Sequence, residues 1–254
     1  NISPDDKVLT YIRVKTLSDV DFINKNHILL ATKKGVIKKT KLEAYSRPRQ
    51  NGVNAISIRE GDELLEARLT NGDSEIMLAG RSGKAIRFHE SNVRPMGRTA
   101  SGVRGITLKD DNDEVVGMVC VQNGNEDILV ISENGYGKRS KIEDYRVTNR
   151  GGKGVKTINV TEKTGSLITI KSVSDDNDLM IITQHGLTIR LAVNSISLLG
   201  RATQGVRLIN LKEDDSIASV ARVVNEAKDE IGKIEGEGLP GDDNDNDDNR
   251  LEQE

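Results

Sequence analysis

The stretch Ile128-Leu-Val-Ile-Ser-Glu-Asn-Gly135 carries an apolar, β-branched run into a glycine seven positions after its start; nineteen residues later comes Gly154-Val-Lys-Thr-Ile158. The same pair occurs three more times. Ile28-Leu-Leu-Ala-Thr leads to Gly35 and then Gly52-Val-Asn-Ala-Ile; Ile76-Met-Leu-Ala-Gly leads to Gly83 and then Gly102-Val-Arg-Gly-Ile; Leu179-Met-Ile-Ile-Thr leads to Gly186 and then Gly205-Val-Arg-Leu-Ile. The second glycines are 50, 52 and 51 residues apart, a period that signals a repeat architecture. Each apolar run is too short for a helix and reads as a strand. The first glycine marks a tight hairpin, where a positive φ is needed. A polar, basic strand follows, then a loop of about ten residues to the Gly-Val-x-x-Ile strand. A fourth strand closes each unit: Glu63-Leu-Leu-Glu-Ala-Arg-Leu, Glu114-Val-Val-Gly-Met-Val, Ser166-Leu-Ile-Thr-Ile and Ser216-Ile-Ala-Ser-Val-Ala. Four strands per repeat predict an all-β, propeller-like fold of four four-stranded blades, near 26–70, 71–121, 122–173 and 174–224. Lys7-Val-Leu-Thr-Tyr-Ile reads as the same closing strand without a blade of its own, so the chain starts in mid-repeat.

Composition narrows the class. The chain has 254 residues, 35 % hydrophobic and 2 % aromatic with no Trp, which argues against propellers whose repeats are built on Trp or paired aromatics. No apolar run is long enough to span a membrane. The N-terminus lacks both an initiator Met and a signal peptide and reads as a fragment of a longer protein. One cysteine, Cys120, excludes an internal disulfide and fits a reducing, cytoplasmic compartment.

The formal charge of −3 conceals two opposite segments. Residues 226–254 hold twelve acids against three bases and have no apolar periodicity, so they are expected to form a disordered acidic tail of charge −9. The body, 1–225, carries +6 and is expected to be the folded domain. Windows 33–59, 81–109, 133–159 and 184–212 contain 26 bases and five acids, a net +21, which leaves −15 for the rest of the body. A surface evolved only for solubility would intersperse the signs.

Within these windows three basic positions recur. Four residues after the turn glycine stand Lys39, Arg87, Arg139 and Arg190; four before the second glycine stand Arg98, Arg150 and Arg201, with Arg47 and Arg49 flanking Pro48 in the first repeat. Two after the second glycine stand Arg104, Lys156 and Arg207. Repeats turning about an axis would set such bases in an arc along one rim, suited to the dense phosphate charge of a duplex. No row of stacking aromatics accompanies them, so double-stranded DNA, read by backbone and shape, is a better match than a single strand.

Tyr145-Arg-Val-Thr-Asn-Arg-Gly-Gly-Lys-Gly-Val-Lys resembles a blade of the C-terminal domain of the gyrase A family, the DNA-wrapping domain of DNA gyrase. Asn134-Gly-Tyr-Gly-Lys-Arg-Ser, Met96-Gly-Arg-Thr-Ala-Ser-Gly-Val-Arg-Gly-Ile and Leu199-Gly-Arg-Ala-Thr-Gln-Gly-Val share the resemblance. It covers about 1–225, and an acidic tail is typical of the family. It implies a β-pinwheel, whose blades exchange a strand with their neighbours, and a role in bending and wrapping duplex DNA around the outer rim. In the whole enzyme, a heterotetramer with gyrase B subunits, such wrapping supports ATP- and Mg-dependent negative supercoiling on nucleoid DNA. The fragment itself is expected to need no cofactor or small-molecule substrate. The family has about six blades, and the signature box Gln-Arg-Arg-Gly-Gly-Lys-Gly of its first blade is absent here. Thr148-Asn149-Arg150-Gly151-Gly152-Lys153-Gly154 matches five of its seven positions in a later blade, so incomplete wrapping is expected. The glycines could let backbone approach phosphate or could simply permit a tight blade connection.

Other chemistry lacks support. Gly135-Tyr-Gly-Lys138 is too short for a P-loop; His27, His89 and His185 have no ligand spacing and read as partly exposed strand or turn residues. Cys120 has no partner His, and Tyr11, Tyr45, Tyr136 and Tyr145 read as packing residues. Asp243, Asp245, Asp247 and Glu254 have calcium-loop spacing, but Asp248 replaces the required Gly. Alternatives to the gyrase reading are the C-terminal domain of topoisomerase IV, which has fewer, more degenerate blades, and a protein-interaction propeller of kelch or chromatin-condensation-regulator type. The tail is either a solubilising extension or a tethered competitor for the basic rim.

Overall fold

A computed structural model of the chain describes residues 7–47, 49–121 and 126–224. Each repeat begins with an antiparallel hairpin. These are β1 (His27–Thr32) with β2 (Val36–Lys41), β4 (Glu75–Gly80) with β5 (Lys84–His89), β8 (Asp127–Ser132) with β9 (Tyr136–Lys141), and β12 (Asp178–Thr183) with β13 (Thr188–Ala192). The anticipated turn glycines have φ of 82°, 83°, 81° and 83° at Gly35, Gly83, Gly135 and Gly186. A long closing strand then pairs with the other side of the first: β3 (Leu64–Thr70), β7 (Val115–Val121), β11 (Leu167–Val173) and β15 (Ile217–Val223).

The remaining strands are two residues long and are exchanged. β6 (Val103–Arg104) lies in the second repeat but pairs with β2 of the first, with Val36 opposite Arg104. β10 (Val155–Lys156) pairs in the same way with β5, and β14 (Val206–Arg207) with β9. Three sheets therefore run β6-β2-β1-β3, β10-β5-β4-β7 and β14-β9-β8-β11, while the fourth, β13-β12-β15, has three strands. The four blades are thus as expected, with the fourth one strand short of the other three. Each Gly-Val-x-x-Ile segment belongs to the blade before its own, so residues 52–56 form no strand and β13 has a bare outer edge among the described residues. The glycines record the difference. A methyl group on Gly35, Gly83 or Gly135 would meet the carbonyl of Ile106, Ile158 or Ile209 within 2.9 Å, whereas at Gly186 it would meet nothing within 4 Å.

Residues 7–12 likewise form no strand, although the closing-strand pattern predicts one there. Ile12, Val14 and Leu17 instead pack with a short helix, α1 (Val20–Lys25), on the first blade through Ile23, Ile28, Leu30 and Leu42.

The core is distributed between blades. Leu29 and Ile37 of the first pack on Ile76, Leu78 and Phe88 of the second; Met77, Val119 and Ala85 pack on Ile128, Val130 and Tyr145 of the third; Leu129 and Ile131 pack on Leu179, Ile181 and Val193 of the fourth. The closing strands touch in succession and line a central cavity of about 710 Å³, so they form the inner edge of the array. The exchanged strands therefore lie on the opposite, outer edge of their sheets.

Candidate nucleic-acid interface

After each hairpin the chain makes one 3-10 turn, at Leu42–Tyr45, Glu90–Asn92, Ile142–Asp144 and Val193–Ser195; from the last three it then runs along the preceding blade to its exchanged strand. Pro95, Val147 and Leu198 bridge in parallel to Lys39, Arg87 and Arg139 on this route. The first series of recurring bases thus lies where one blade receives the connection of the next.

Its side chains point into that junction. Lys39 is 4 % exposed; its Nζ donates to the Glu90 carbonyl at 2.8 Å and lies 3.6 Å from the Glu90 carboxylate. Arg87 donates from Nη1 to the carbonyls of Ile142 (2.7 Å) and Tyr145 (2.9 Å) and is paired with Glu75. Arg139 is 8 % exposed, donates from Nε to the Ile196 carbonyl at 2.9 Å, and is paired with Asp127 and Asp175. Cations set against carbonyls of a 3-10 turn and its C-terminal end satisfy acceptors left without partners there. These three residues are clamps between blades, and the reading of Lys39, Arg87 and Arg139 as phosphate ligands is corrected accordingly. Arg190 is exposed but bonded from Nε to Asp178 at 2.7 Å.

The other two series behave differently. Arg104, Lys156 and Arg207 are exposed on the exchanged strands. Arg150 reaches across the junction, donating to the carbonyls of Asn92 and Arg104, each at 3.0 Å; Arg201 repeats the arrangement on Asp144 (3.0 Å) and Lys156 (2.9 Å). Each such guanidinium is anchored by two donors and retains others for an external acceptor. Arg150 is thereby joined to Arg104, and Arg201 to Lys156, across successive junctions; none of Arg104, Arg150, Lys156, Arg201 and Arg207 has a carboxylate partner among the described residues. Arg207 is held over the Tyr136 ring, 5.4 Å from its centroid, with Nη2 donating to Tyr136 Oη at 2.8 Å. Lys153 is exposed three residues after Arg150, and the exposed Arg47 and Arg49 in the first connection and half-buried Arg98 in the second continue the unpaired set.

The glycine-rich segment resolves toward packing. Gly151 (φ 83°) donates its N–H to the Gly105 carbonyl at 2.6 Å, and its own carbonyl accepts from Thr107 Oγ1 at 2.7 Å. Gly154 (φ 70°) would place a methyl group 2.4 Å from the Ala85 carbonyl. Gly152 is exposed, with room for a methyl group. The box therefore delivers Arg150 and Lys153 to the surface, while Gly151 and Gly154 allow the close backbone approach.

Sequence reading passed over Lys38 and Lys138, one residue before two of the clamps. Both side chains are buried beneath the connections: Lys38 Nζ donates to the Ala55 carbonyl at 2.6 Å and to that of Arg98, and Lys138 Nζ to the Gly200 carbonyl at 2.6 Å. Burial pushes Lys38 below the usual lysine range and Lys138 down to about 8. Among the tyrosines, Tyr145 is buried with Oη 2.6 Å from Thr157 Oγ1, but Tyr11 is exposed, against its assignment as a packing residue. Burial raises the Cys120 thiol to about 12, so it is held as an unreactive thiol. The described residues contain no group of three or more His, Cys, Asp or Glu that could hold a metal ion, and no helix among them is long and apolar enough to cross a membrane. The tail and its 243–254 calcium-loop spacing lie outside the described residues.

Against this geometry, the model of the DNA gyrase C-terminal domain, beta-propeller, matches residues 26–71, 74–122, 126–174 and 177–223. The chain belongs to this family. It is 48 % identical over 232 residues to the DNA gyrase A protein of Staphylococcus aureus strain NCTC 8325 / PS 47, covering 91 % of this chain and 26 % of that protein. It thus spans about a quarter of the length of the curated relatives it matches. A solved DNA gyrase A C-terminal domain superposes with a TM-score of 0.76 at 25 % identity, over 88 % of this chain and 73 % of that one. The C-terminal domain of a DNA topoisomerase IV gives 0.77 at 22 % identity, over 87 % and 68 %, and shares the fold. In this member of the gyrase C-terminal family the exchanged strand is thus the element that carries the outermost base of each filled blade.

Proposed function

We propose that this chain binds duplex DNA along the outer edge of its blades and bends it there, as the C-terminal part of a gyrase A protein. The observation that carries the reading is the recurring set of cations at successive junctions, Arg104 with Arg150, Lys156 with Arg201, and then Arg207, unpaired with carboxylates among the described residues. Their anchoring holds them at blade-to-blade intervals, so a polyanion meeting all of them must follow the curve of the array. Phosphate contacts of this kind position a duplex without reading its bases. Within the whole protein, paired with gyrase B in the bacterial cytoplasm, this bend would support ATP-dependent negative supercoiling, with nucleotide and magnesium handled elsewhere in the enzyme. The chain itself then acts by binding and has no catalytic step. The 48 % identity to gyrase A favours that assembly over topoisomerase IV.

A salt titration of duplex affinity tests the binding. Six unpaired cations, Arg104, Arg150, Lys153, Lys156, Arg201 and Arg207, predict a log–log slope of about −5, with duplex favoured over single strand. Absence of affinity at ~50 mM salt would overturn the proposal. Ligation of nicked circles on the protein then reads bending: a shift in topoisomer distribution supports it, and an unchanged distribution reduces the reading to simple binding.

A further inference from the structure

The central cavity has its own charge, on the sheet edge opposite the exchanged strands and about 14 Å across three strand spacings from them. Three inner strands bring a cation to its wall: Arg68 on β3, Lys171 on β11 and Arg222 on β15. Arg68 is paired with Glu66, whose second carboxylate oxygen accepts the Met118 N–H at 3.1 Å. Arg222 lies 3.5 Å from Glu126 and donates from Nη1 to the Ser172 carbonyl at 3.0 Å. Lys171 has neither a side-chain hydrogen bond nor a carboxylate partner among the described residues.

We propose that this cavity binds a phosphate-bearing anion, with Lys171 as its central ligand and the free guanidinium donors of Arg68 and Arg222 beside it. An ammonium supplies a point charge and the guanidinium forks match oxyanion geometry, which is the donor set that phosphate recognition uses. Both acids near the wall are already engaged by the arginines, so the lysine charge is the one left over. Burial is the main cause that lowers the Lys171 pKa; Arg68 and Arg222 add to it, and Glu66 opposes it. An anion in the cavity would relieve that cost. The volume of about 710 Å³ accommodates a phosphate or a small nucleotide, and it is far too small for a duplex. The inference is independent of the DNA reading.

The test is calorimetric titration of the chain with inorganic phosphate, against chloride at matched ionic strength, and in a second arm with magnesium-free ATP. Saturable one-site binding is expected, weakened about 10-fold or more in Lys171→Met, the loss of one charge-assisted hydrogen bond. Arg222→Gln should weaken it as well, and Lys25→Met, on the exposed face of α1, should leave it unchanged. Tighter binding of ATP than of phosphate assigns the site to nucleotides, and equal binding assigns it to the free ion; both support the site. No saturable binding of either, or undiminished binding in both Lys171→Met and Arg222→Gln, would overturn it.

Discussion

Replacing Arg104, Lys156 and Arg207 together by glutamine separates the two kinds of base that share the repeat. All three are exposed on exchanged strands and have no carboxylate partner among the described residues, so their removal should leave folding almost unchanged. Each phosphate contact contributes about 0.9 to the log–log salt slope, so the triple variant should lose about 2.7 of a slope near −5. At ~0.1 M salt that is a loss of affinity of roughly 10²–10³-fold. Arg87→Met is the contrast. It strands the Ile142 and Tyr145 carbonyls and the Glu75 carboxylate in a junction where Arg87 is largely buried. The cost should be about 3 kcal/mol, a Tm drop of roughly 6–12 °C for a domain of this size. Its salt slope, measured below the new transition, should match the parent. Fluorescence anisotropy with a labelled duplex and thermal melts followed by circular dichroism read the two quantities separately. A triple variant with the parental slope, or an Arg87→Met protein of parental stability with a reduced slope, would refute the division into clamps and ligands.

Other outcomes follow from the same geometry. Gly154→Ala forces a positive φ on alanine and drives its methyl into the Ala85 carbonyl, so the urea midpoint should fall by the equivalent of about 1–3 kcal/mol or more. Lys138 has a folded pKa of about 8 against an ordinary 10.5, so between these values the unfolded chain binds more protons and stability rises with pH. Chemical denaturation at pH 8 and pH 10 should show that rise in the parent and a smaller one in Lys138→Met. Tyr136→Phe removes the phenolic acceptor that holds Arg207 and should weaken duplex binding by roughly five-fold, about 1 kcal/mol, with little change in Tm. Deletion of 226–254 should tighten duplex binding at low salt if the acidic tail competes for the rim, and unchanged affinity would dismiss that role.

The blades were legible because a hairpin leaves local marks: an apolar run, a glycine at a fixed offset, a polar return. Strand exchange is a relation between repeats, so nothing within Gly102-Val-Arg-Gly-Ile says that its partners are Val36 and Ile37 of the preceding blade. The same limit applies to the charges. Arg87 and Arg104 are both bases at recurring offsets, and composition alone does not separate a buried clamp from an exposed ligand. A separating signal was present all the same. Glu75, Asp127 and Asp178 each stand immediately before the apolar run of their repeats, and pairing sets each diagonally across from Arg87, Arg139 or Arg190. A recurring acid at fixed distance from a recurring base marks an internal pair. Arg104, Lys156 and Arg207 have no such companion in their segments. Lys38 and Lys138 escaped because only two of the four repeats place lysine there.

Strand exchange also bears on how such arrays change length over generations. A gene segment encoding one whole repeat supplies one donor strand and one receiving hairpin edge, so its duplication or loss keeps the number of donors matched to the number of edges. The Gly-Val donor fits any of the three filled edges by the same register: a glycine against a carbonyl and a base facing outward. The backbone pairing thus sets no limit on blade number, and only the side chains at a newly formed junction would need to adapt.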